Sequence, residues 1–205
     1  MRYNGEDADQ RNQKRRRSGS RFTFPARLLC ADCFEVRLDG VLRGDGPFDI
    51  CSCQFAMHYS WSSEARARQA LANISALLRP GGTFIGTMPD ANYMFHLEDA
   101  VDCPEWIVSF PVFKSLAEEY DLEIVFVRNF HEFVDQYLKM PQFAEIMRHL
   151  GALGTGNQGS STISPDEWEV TYLYSAFVLK KRGEPDPNRR RANRANNGPA
   201  MHINN

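Results

Sequence analysis

The sequence predicts an α/β fold whose sheet is mostly parallel, with one antiparallel strand near the C-terminal end. Two observations support this class: apolar runs of strand length alternate with stretches of helical period, and Gly/Pro-containing turns separate them. Strand–helix–strand units of this kind join parallel strands through right-handed crossovers. The chain has 205 residues, 42% of them hydrophobic and 24% charged, which is typical of one globular domain with its own core.

The first crossover is defined by two apolar runs and the segment between them. "FDICSCQF" (Phe48–Phe55) predicts a buried strand, and "TFIGTMP" (Thr83–Pro89) predicts a second one. The segment between them begins with serines suited to a helix N-cap and ends at "PGG" (Pro80–Gly82). Its apolar residues recur at helical spacing, at Ala67, Ala70, Leu71, Ile74, Leu77 and Leu78. An earlier apolar run, "PARLLCAD" (Pro25–Asp32), predicts a further buried strand.

The second half of the chain predicts another crossover and a closing strand. A helix from about Pro111 to Tyr120 leads into an apolar strand at Leu122–Phe130. The next segment is helical and interrupted by Pro141, and turn-forming residues then predict a loop at Gly154–Trp168. "EWEVTYLYSAFVLKK", which ends at Lys181, predicts a long last strand, antiparallel to the strand at 122–130.

Charge and composition divide the chain into a domain and two tails. The net charge is −2, so no overall field marks a general nucleic-acid binder. We expect disordered basic tails at residues 1–21 and 182–205 around a domain at residues 22–181. The basic runs "QKRRR" and "NRRRANR" in these tails fit nuclear-import or RNA-contacting patches, or solvated tails without a partner. A polar N-terminus and the lack of a long apolar run predict a protein inside the cell.

Five cysteines, an odd number, predict thiols rather than a disulfide framework. "CADC" (Cys30, Cys33) and "CSC" (Cys51, Cys53) raise the alternative of a zinc site. Cys51 and Cys53 alternate along a predicted buried strand, where cysteine behaves as a small apolar residue. This placement favours structural thiols and no metal.

Polar and aromatic residues gather where the predicted strands end. In open α/β sheets, ligands bind beyond the carboxyl ends of the strands. The candidates at these ends are Asp32, Gln54, Phe55, His58, Tyr59 and Pro89. Each has a simpler reading, because Asp32 can cap a turn, His58 can be a packed histidine and Tyr59 can pack on the next helix. Their shared location favours a ligand site.

Four segments then carry a resemblance to a known family. "FDICSCQFAMHYSW", "LRPGGTFIGTMPD", "DCPEWIVSFP" and "SPDEWEVTYLYSAF", in this order, resemble the eukaryotic mRNA cap guanine-N7 methyltransferases, from about Arg21 to Lys181. The resemblance implies the class I S-adenosylmethionine-dependent methyltransferase (Rossmann-like) fold. It also implies S-adenosyl-L-methionine as cofactor, N7 of the cap guanine as methyl acceptor, and a nuclear location. The partners it implies are capped nascent RNA, the transcription-coupled capping machinery and a small activating subunit.

The resemblance also implies roles for individual residues. The cofactor-binding residues would be Asp32 at the adenine amino group, Gln54 along the cofactor pocket and Tyr59 between the methionine end and the cap. The guanine-binding residues would be Phe55 and Pro89 on its two faces, His58 near O6, Glu105 at the N1 and N2 hydrogens, and Tyr174 over the base. Guanine N7 has a lone pair and no proton to lose, so we expect catalysis by positioning, with no catalytic acid or base.

The sequence departs from the family pattern in two places. The family's first strand and glycine-rich turn would precede "RYNG", and the family's spatial strand order is 3-2-1-4-5-7-6. We therefore expect a sheet that lacks its first two strands and exposes an apolar edge at 48–55. The connection from Pro89 to Asp102 is also shorter than in the family. We expect impaired catalysis, and two alternatives remain: a non-catalytic cap-binding or regulatory fragment, and a small-molecule methyltransferase.

Overall fold

The computed structural model describes residues 29–42, 44–91, 106–150 and 163–184. The predicted tails, apart from residues 182–184, and Glu105 lie outside these ranges. The elements follow in the order β1 (Phe48–Gln54), a 3-10 helix (Met57–Ser62), α1 (Glu64–Leu77), β2 (Leu78–Pro89), α2 (Phe110–Glu118), β3 (Leu122–Asn129), α3 (Phe130–Leu138), α4 (Pro141–His149), α5 (Pro165–Thr171) and β4 (Tyr174–Lys181).

The four strands form one mixed sheet in the order β1-β2-β4-β3. β1 and β2 are parallel, and β4 runs antiparallel to both of its neighbours, β2 and β3. β3 therefore points in the same direction as β1 and β2. This arrangement confirms the predicted sheet, including the late antiparallel strand and its pairing with the strand at 122–130. The order also matches the last four positions, 4-5-7-6, of the family order.

The first crossover forms as predicted, with one difference at its end. Ser63 is the N-cap of α1, and its hydroxyl accepts a hydrogen bond from the Arg66 N–H at 3.3 Å. The chain enters β2 directly after Leu77, before the predicted turn at Pro80–Gly82. The register of β1 with β2 shifts between Phe48 and Ile50, which accommodates these turn residues as an irregularity within the strand.

The core lies between the sheet and the helices on one of its faces. Phe177 of β4 is buried between Phe84 of β2 and Phe113 of α2, with ring centroids 5.2 Å away in both cases. α3 packs on the opposite face, where Phe133 lies 6.1 Å from Phe126 of β3. Helices on both faces bury the middle of the sheet, as expected for this class.

The structure corrects the strand predicted at Pro25–Asp32. Its described part, Leu29–Asp32, contains no strand, and Leu29 is 45% exposed. The Asp32 carbonyl instead accepts hydrogen bonds from the Glu35 and Val36 N–H groups at 3.1 and 3.0 Å, which form a turn. Within the described residues no strand lies beside this segment, so its backbone has no ladder to join.

The structure also corrects the loop predicted up to Trp168 and the long last strand. Pro165–Thr171 is a helix, and β4 begins only at Tyr174. Ser164 and Glu167 form a capping box: the Glu167 N–H donates to the Ser164 hydroxyl at 3.2 Å, and the Ser164 N–H donates to the Glu167 carboxylate at 2.8 Å. Proline at the first helical position completes a strong local helix signal, which outweighs the strand propensity of the segment.

Two further predictions are confirmed. The helical segment after β3 is interrupted at Pro141, where α4 begins. β1 is an edge strand of the described sheet, and Ile50 on it is 62% exposed, so the expected open apolar edge is present. None of the described helices combines the length and the apolar character needed to cross a membrane.

Candidate functional site

The C-terminal ends of β1, β2 and β3 and the N-terminal end of β4 lie along the same side of the sheet. Gln54 at the end of β1 is level with Thr87 of β2, and Pro89 at the end of β2 is level with Tyr174 at the start of β4. Asn129 at the end of β3 is level with Ser175. The structure thus brings the strand-end residues Gln54, Phe55, Pro89 and Tyr174 to a common edge, where open α/β sheets bind their ligands.

Phe55 occupies a tight turn immediately after β1. Its φ of +51° lies in the left-handed region, which costs a non-glycine residue roughly 1–2 kcal/mol. Its N–H donates to both the carbonyl and the hydroxyl oxygen of Thr87, each at 3.0 Å, and these bonds hold the turn. The residue is 48% exposed, so the turn presents a large aromatic side chain to solvent at the site.

Three aromatic rings pack together at this edge, and we call them the aromatic cluster: Phe55, Phe130 and Tyr174. The Phe55 ring meets the Tyr174 ring edge to face, with centroids 5.2 Å apart and planes at 86°. Phe130, the first residue of α3, lies 6.0 Å from Phe55 and 6.1 Å from Tyr174. Edge-to-face packing leaves ring faces available for a flat ligand, and aromatic faces stack on any nucleobase.

Pro89 is part of the same edge but is fully buried. A base held between Phe55 and Pro89, as the resemblance implies, therefore requires the groups that cover Pro89 to move. Its neighbour across the sheet, level with it in the register, is Tyr174.

His58 and Tyr59 follow in the 3-10 helix with opposite exposure. His58 is 2% exposed, whereas Tyr59 is 38% exposed, and their ring centroids lie 4.1 Å apart. The structure therefore presents the Tyr59 ring to solvent and keeps the His58 imidazole inside. The predicted contact of His58 with the guanine edge stays a prediction, since a ligand reaches this ring only through its small exposed fraction.

The predicted cofactor residues Gln54 and Asp32 both have exposed side chains. The Gln54 amide donates to the Ser52 hydroxyl at 2.9 Å. The Asp32 carboxylate accepts from the Arg66 guanidinium at 2.9 Å and from the Phe34 N–H at 3.0 Å. The Arg66 hydrogen bond, supported by the Phe34 N–H, holds the pKa of Asp32 below its ordinary value of 3.8. Asp32 is therefore an ionised acceptor at neutral pH.

Cys51 and Cys53 on β1 are half-buried thiols, whereas Cys30 and Cys33 are exposed. Burial raises the pKa of Cys51 to about 11 and that of Cys53 to about 12, and the nearby Cys33 thiol adds to both shifts. Both groups are therefore protonated at neutral pH. In the described part of the chain, no three His, Cys, Asp or Glu side chains cluster in a way that suits a metal ion.

Sequence reasoning missed Phe130 and a set of buried polar residues beneath the aromatic cluster. Asp90 is 3% exposed, Asn129 6% and Ser175 1%. A usable signal for Phe130 was present, because it ends the strand predicted at 122–130 and so falls at the same carboxyl edge as Phe55. The polar residues gave no such signal, since burial of Asp, Asn and Ser is visible only in the fold.

The architecture is that of S-adenosylmethionine-dependent methyltransferases. A methyltransferase of this class from Methanosarcina mazei matches 88% of this chain and 80% of its own length, with a TM-score of 0.51 and 11% identity. Another, from Clostridium acetobutylicum, matches 88% of this chain and 73% of its own length, with a TM-score of 0.50 and 11% identity. At this level of identity the similarity establishes the fold alone.

The sequence comparisons establish the family. The family model of the mRNA (guanine-N(7))-methyltransferase domain matches residues 2–93 and 90–182. The chain is 59% identical to mRNA cap guanine-N(7) methyltransferase 1 of Oryza sativa subsp. japonica, over 96% of this chain and 62% of that protein. It is 57% identical to the Arabidopsis thaliana protein of the same name, over 95% of this chain and 62% of that protein. The chain therefore belongs to the mRNA cap guanine-N7 methyltransferase family, as the resemblance predicted.

The comparisons also show how the chain differs from these relatives. It spans about 62% of the length of the two plant proteins. The rice alignment runs over 238 residues, more than the 205 in this chain, so the relative contains residues inside the matched region that this chain lacks. The two family matches meet at residues 90–93. This position agrees with the shortened connection predicted after Pro89.

Proposed function

We propose that this chain acts as an mRNA cap guanine-N7 methyltransferase, which moves a methyl group from S-adenosyl-L-methionine to N7 of the 5′ cap guanosine. The observation that carries the proposal is the aromatic cluster at the convergent strand ends. Phe55 and Tyr174 are two of the residues for which the resemblance implies contact with the guanine. Their ring centroids lie 5.2 Å apart, at the strand ends where open α/β sheets bind ligands.

The cap side of the site recognises guanine through stacking and hydrogen bonds. Phe55, 48% exposed, offers a ring face to the base, and Tyr174 closes the site from β4. Glu105 is the proposed acceptor for the guanine N1 and N2 hydrogens, because a carboxylate is the natural partner of two neighbouring donors. A site with such a carboxylate discriminates strongly against bases that lack these donors.

The residues proposed for the cofactor fit its chemistry. The adenine amino group is a donor, and Asp32 is an ionised, 44% exposed carboxylate with lone pairs beyond those used by Arg66 and Phe34. Gln54 at the end of β1 adds an amide, and Tyr59 in the following 3-10 helix adds a hydroxyl; both residues are exposed. S-adenosylmethionine supplies a methyl group carried on a positively charged sulfur.

The contribution of this chain to the reaction is positioning. Guanine N7 carries its lone pair without a proton, so no residue has to act as a general base. Stacking on Phe55 fixes the plane of the guanine, and Tyr174 limits its movement within that plane. By fixing the base, these residues would convert a bimolecular encounter with the methyl donor into an oriented one, which is a large source of catalysis.

Capped nascent RNA, the transcription-coupled capping machinery and a small activating subunit are the partners we propose, with a nuclear location. The basic runs "QKRRR" and "NRRRANR" are candidate import or RNA-contacting segments. They lie outside the described residues, so their role rests on sequence alone.

The direct test is transfer of labelled methyl groups to RNA ending in an unmethylated guanosine cap. This chain and the full-length rice relative are assayed side by side, and the product is digested and separated to detect 7-methylguanosine. We expect cap-dependent labelling that Glu105→Ala reduces at least about tenfold, because the loss leaves two guanine donors unpaired. Labelling that is independent of the cap, or insensitive to Glu105→Ala, contradicts the guanine-reading site.

A second candidate function is cap binding without methyl transfer. It is favoured by the position of β1 at the edge of the described sheet, where Ile50 is 62% exposed beside the residues proposed for the cofactor. The same assay separates the two candidates. Binding of a cap dinucleotide without methyl transfer, beside an active rice control, identifies the chain as a cap-binding or regulatory module.

A further inference from the structure

We propose that Asp90 is a positioning residue whose carboxylate restrains the aromatic cluster and Pro89 and thereby shapes the guanine pocket. The inference rests on the proposed function, because it concerns the same base-binding edge. It adds two elements to that site: a buried polar anchor under the pocket, and Phe130 as a third aromatic wall. Neither carries a role in the residue pattern that identified the family.

A single carboxylate oxygen of Asp90 connects two other elements of the sheet. Its Oδ2 accepts a hydrogen bond from the Ser175 hydroxyl of β4 at 2.5 Å and from the Asn129 side-chain amide of β3 at 3.4 Å. The Asp90 N–H donates to the Leu173 carbonyl at 2.8 Å. Asp90 itself directly follows Pro89, the last residue of β2. It therefore links the ends of β2, β3 and β4.

Asn129 extends this connection to helix α3. Its Nδ2 donates to the Tyr172 carbonyl at 2.6 Å, in the turn that precedes β4. Its Oδ1 accepts from the His131 N–H at 3.0 Å and so caps the N-terminus of α3. The orientation of α3 where it begins, at Phe130, therefore depends on the same polar group that contacts Asp90.

Each buried polar residue is a direct chain neighbour of a residue at the pocket. The three pairs are Asp90 with Pro89, Asn129 with Phe130, and Ser175 with Tyr174. Tyr174 and Ser175 are adjacent in β4, where successive side chains point to opposite faces, whereas the other two pairs lie where β2 and β3 end. In each pair the two residues share a peptide bond, so a hydrogen bond that holds one of them restrains the backbone of the other. Hydrogen bonds at Asp90 consequently restrain three pocket residues at once.

The hydrogen bonds of Asp90 to Ser175 and Asn129 are expected to be strong, because they are buried and involve a carboxylate. Asp90, Ser175 and Asn129 are 94% or more buried, so water cannot replace their hydrogen bonds. Bonds to a carboxylate are shorter and stronger than bonds between neutral groups. Removal of the carboxylate leaves the Ser175 hydroxyl and one Asn129 donor without this acceptor, and the strand ends become free to separate.

The test compares Asp90→Ala, Asp90→Asn and the control Asp135→Ala, which removes an exposed carboxylate from α3. The first readout is the dissociation constant for the unmethylated cap dinucleotide GpppA, measured by titration calorimetry. The second is the ¹⁹F resonance of 4-fluorophenylalanine at Phe55 and Phe130, recorded without ligand. Far-UV circular dichroism verifies that each variant is folded.

We expect Asp90→Ala to weaken GpppA binding about tenfold or more and to shift both ring resonances. Asp90→Asn keeps an oxygen acceptor, so it retains affinity within about threefold of the parent chain. Asp135→Ala changes neither readout. If Asp90→Ala does not fold, Ser175→Ala removes one of the bonds and should produce a smaller shift in the same direction.

Two results overturn the inference and are distinguishable. If the parent chain binds GpppA and the alanine variants, Asp90→Ala or Ser175→Ala, bind equally well with unchanged resonances, the positioning role is wrong and the proposed function stands. If the parent chain does not bind GpppA at all, the proposed function fails and the inference fails with it.

Discussion

Gly86 in the middle of β2 is the position where a single added methyl group should be most costly. In the register it lies between Cys53 of β1 and Phe177 of β4. A Cβ at this position would lie 2.2 Å from the Phe177 Cζ and 2.6 Å from the Cys53 carbonyl oxygen. Both distances are far below van der Waals contact, so Gly86→Ala requires both neighbours to move.

Neither neighbour can move cheaply. The Phe177 ring is 1% exposed and is flanked by the rings of Phe84 and Phe113, each 5.2 Å away. The Cys53 carbonyl belongs to the β1 backbone and cannot rotate away like a side chain. Overpacking of a well-packed core costs about 1–3 kcal/mol, and we expect Gly86→Ala near the upper end of this range.

Urea unfolding followed by tryptophan fluorescence measures the free energy of unfolding of each variant. Gly40→Ala is the matched control, because a Cβ there meets nothing within 4 Å, and it should stay within about 0.5 kcal/mol of the parent chain. In a Phe177→Leu background, the cost of Gly86→Ala should fall by about 1 kcal/mol, since the shorter side chain relieves the closer contact. A Gly86→Ala cost below about 0.5 kcal/mol would refute the reasoning.

Three further predictions concern the site and its surroundings. Phe55→Ala should weaken binding of a cap dinucleotide by about 5- to 150-fold, the loss of one base–aromatic stack, while Phe55→Trp keeps most of it in the same calorimetric titration. Arg66→Ala should raise the pKa of Asp32 towards 3.8, observed by NMR titration of the carboxyl carbon. The pKa of Asp32 is lower in the folded than in the unfolded state, so the ion pair stabilises the fold above about pH 4, by at most about 1 kcal/mol. This stabilisation is lost as the pH falls through the folded-state pKa. An unchanged titration of the Asp32 carboxyl in Arg66→Ala contradicts the prediction. Exposed Cys30 should be alkylated by iodoacetamide at pH 8 far faster than Cys51. The pKa of Cys51, about 11, leaves only about one in a thousand of its thiols as thiolate at this pH. Equal alkylation rates of the two cysteines, measured by peptide mass spectrometry, contradict the prediction.

The sheet was predictable because its signals are local and agree with one another. The runs at Phe48–Phe55 and Leu122–Phe130 are long, apolar and rich in β-branched or aromatic residues, and each extends only one residue beyond the observed strand. The helix from Glu64 carries both an apolar stripe and a serine cap. Given strands joined by helices, the crossover rule leaves few alternatives for their direction.

The sequence-based predictions were wrong or incomplete where tertiary structure or a local hydrogen bond determines the conformation. The run Pro25–Asp32 is as apolar as a strand, but no strand lies beside its described part, and a backbone without a partner forms a turn. Residues 165–171 contain Trp, Val and Thr, which favour a strand, but the capping box at Ser164 stabilises a helix instead. The resemblance assigned roles to residues but gave no information on their solvent exposure, so it could not reveal that Pro89 and His58 are buried.

The two halves of the proposed site differ in how completely the described residues build them. The base side is enclosed by the ends of β1, β2 and β4 and by the start of α3, with Asp90 as a common anchor. The proposed cofactor side depends on Gln54, at the end of edge strand β1, and on Asp32, in the turn at residues 32–36, and both residues are exposed. Because the proposed base contacts and the proposed cofactor contacts involve different residues, we expect cap affinity and methyl transfer to be separable in this chain. Affinity for a cap dinucleotide should therefore follow the aromatic cluster and its anchor, whether or not methyl transfer occurs.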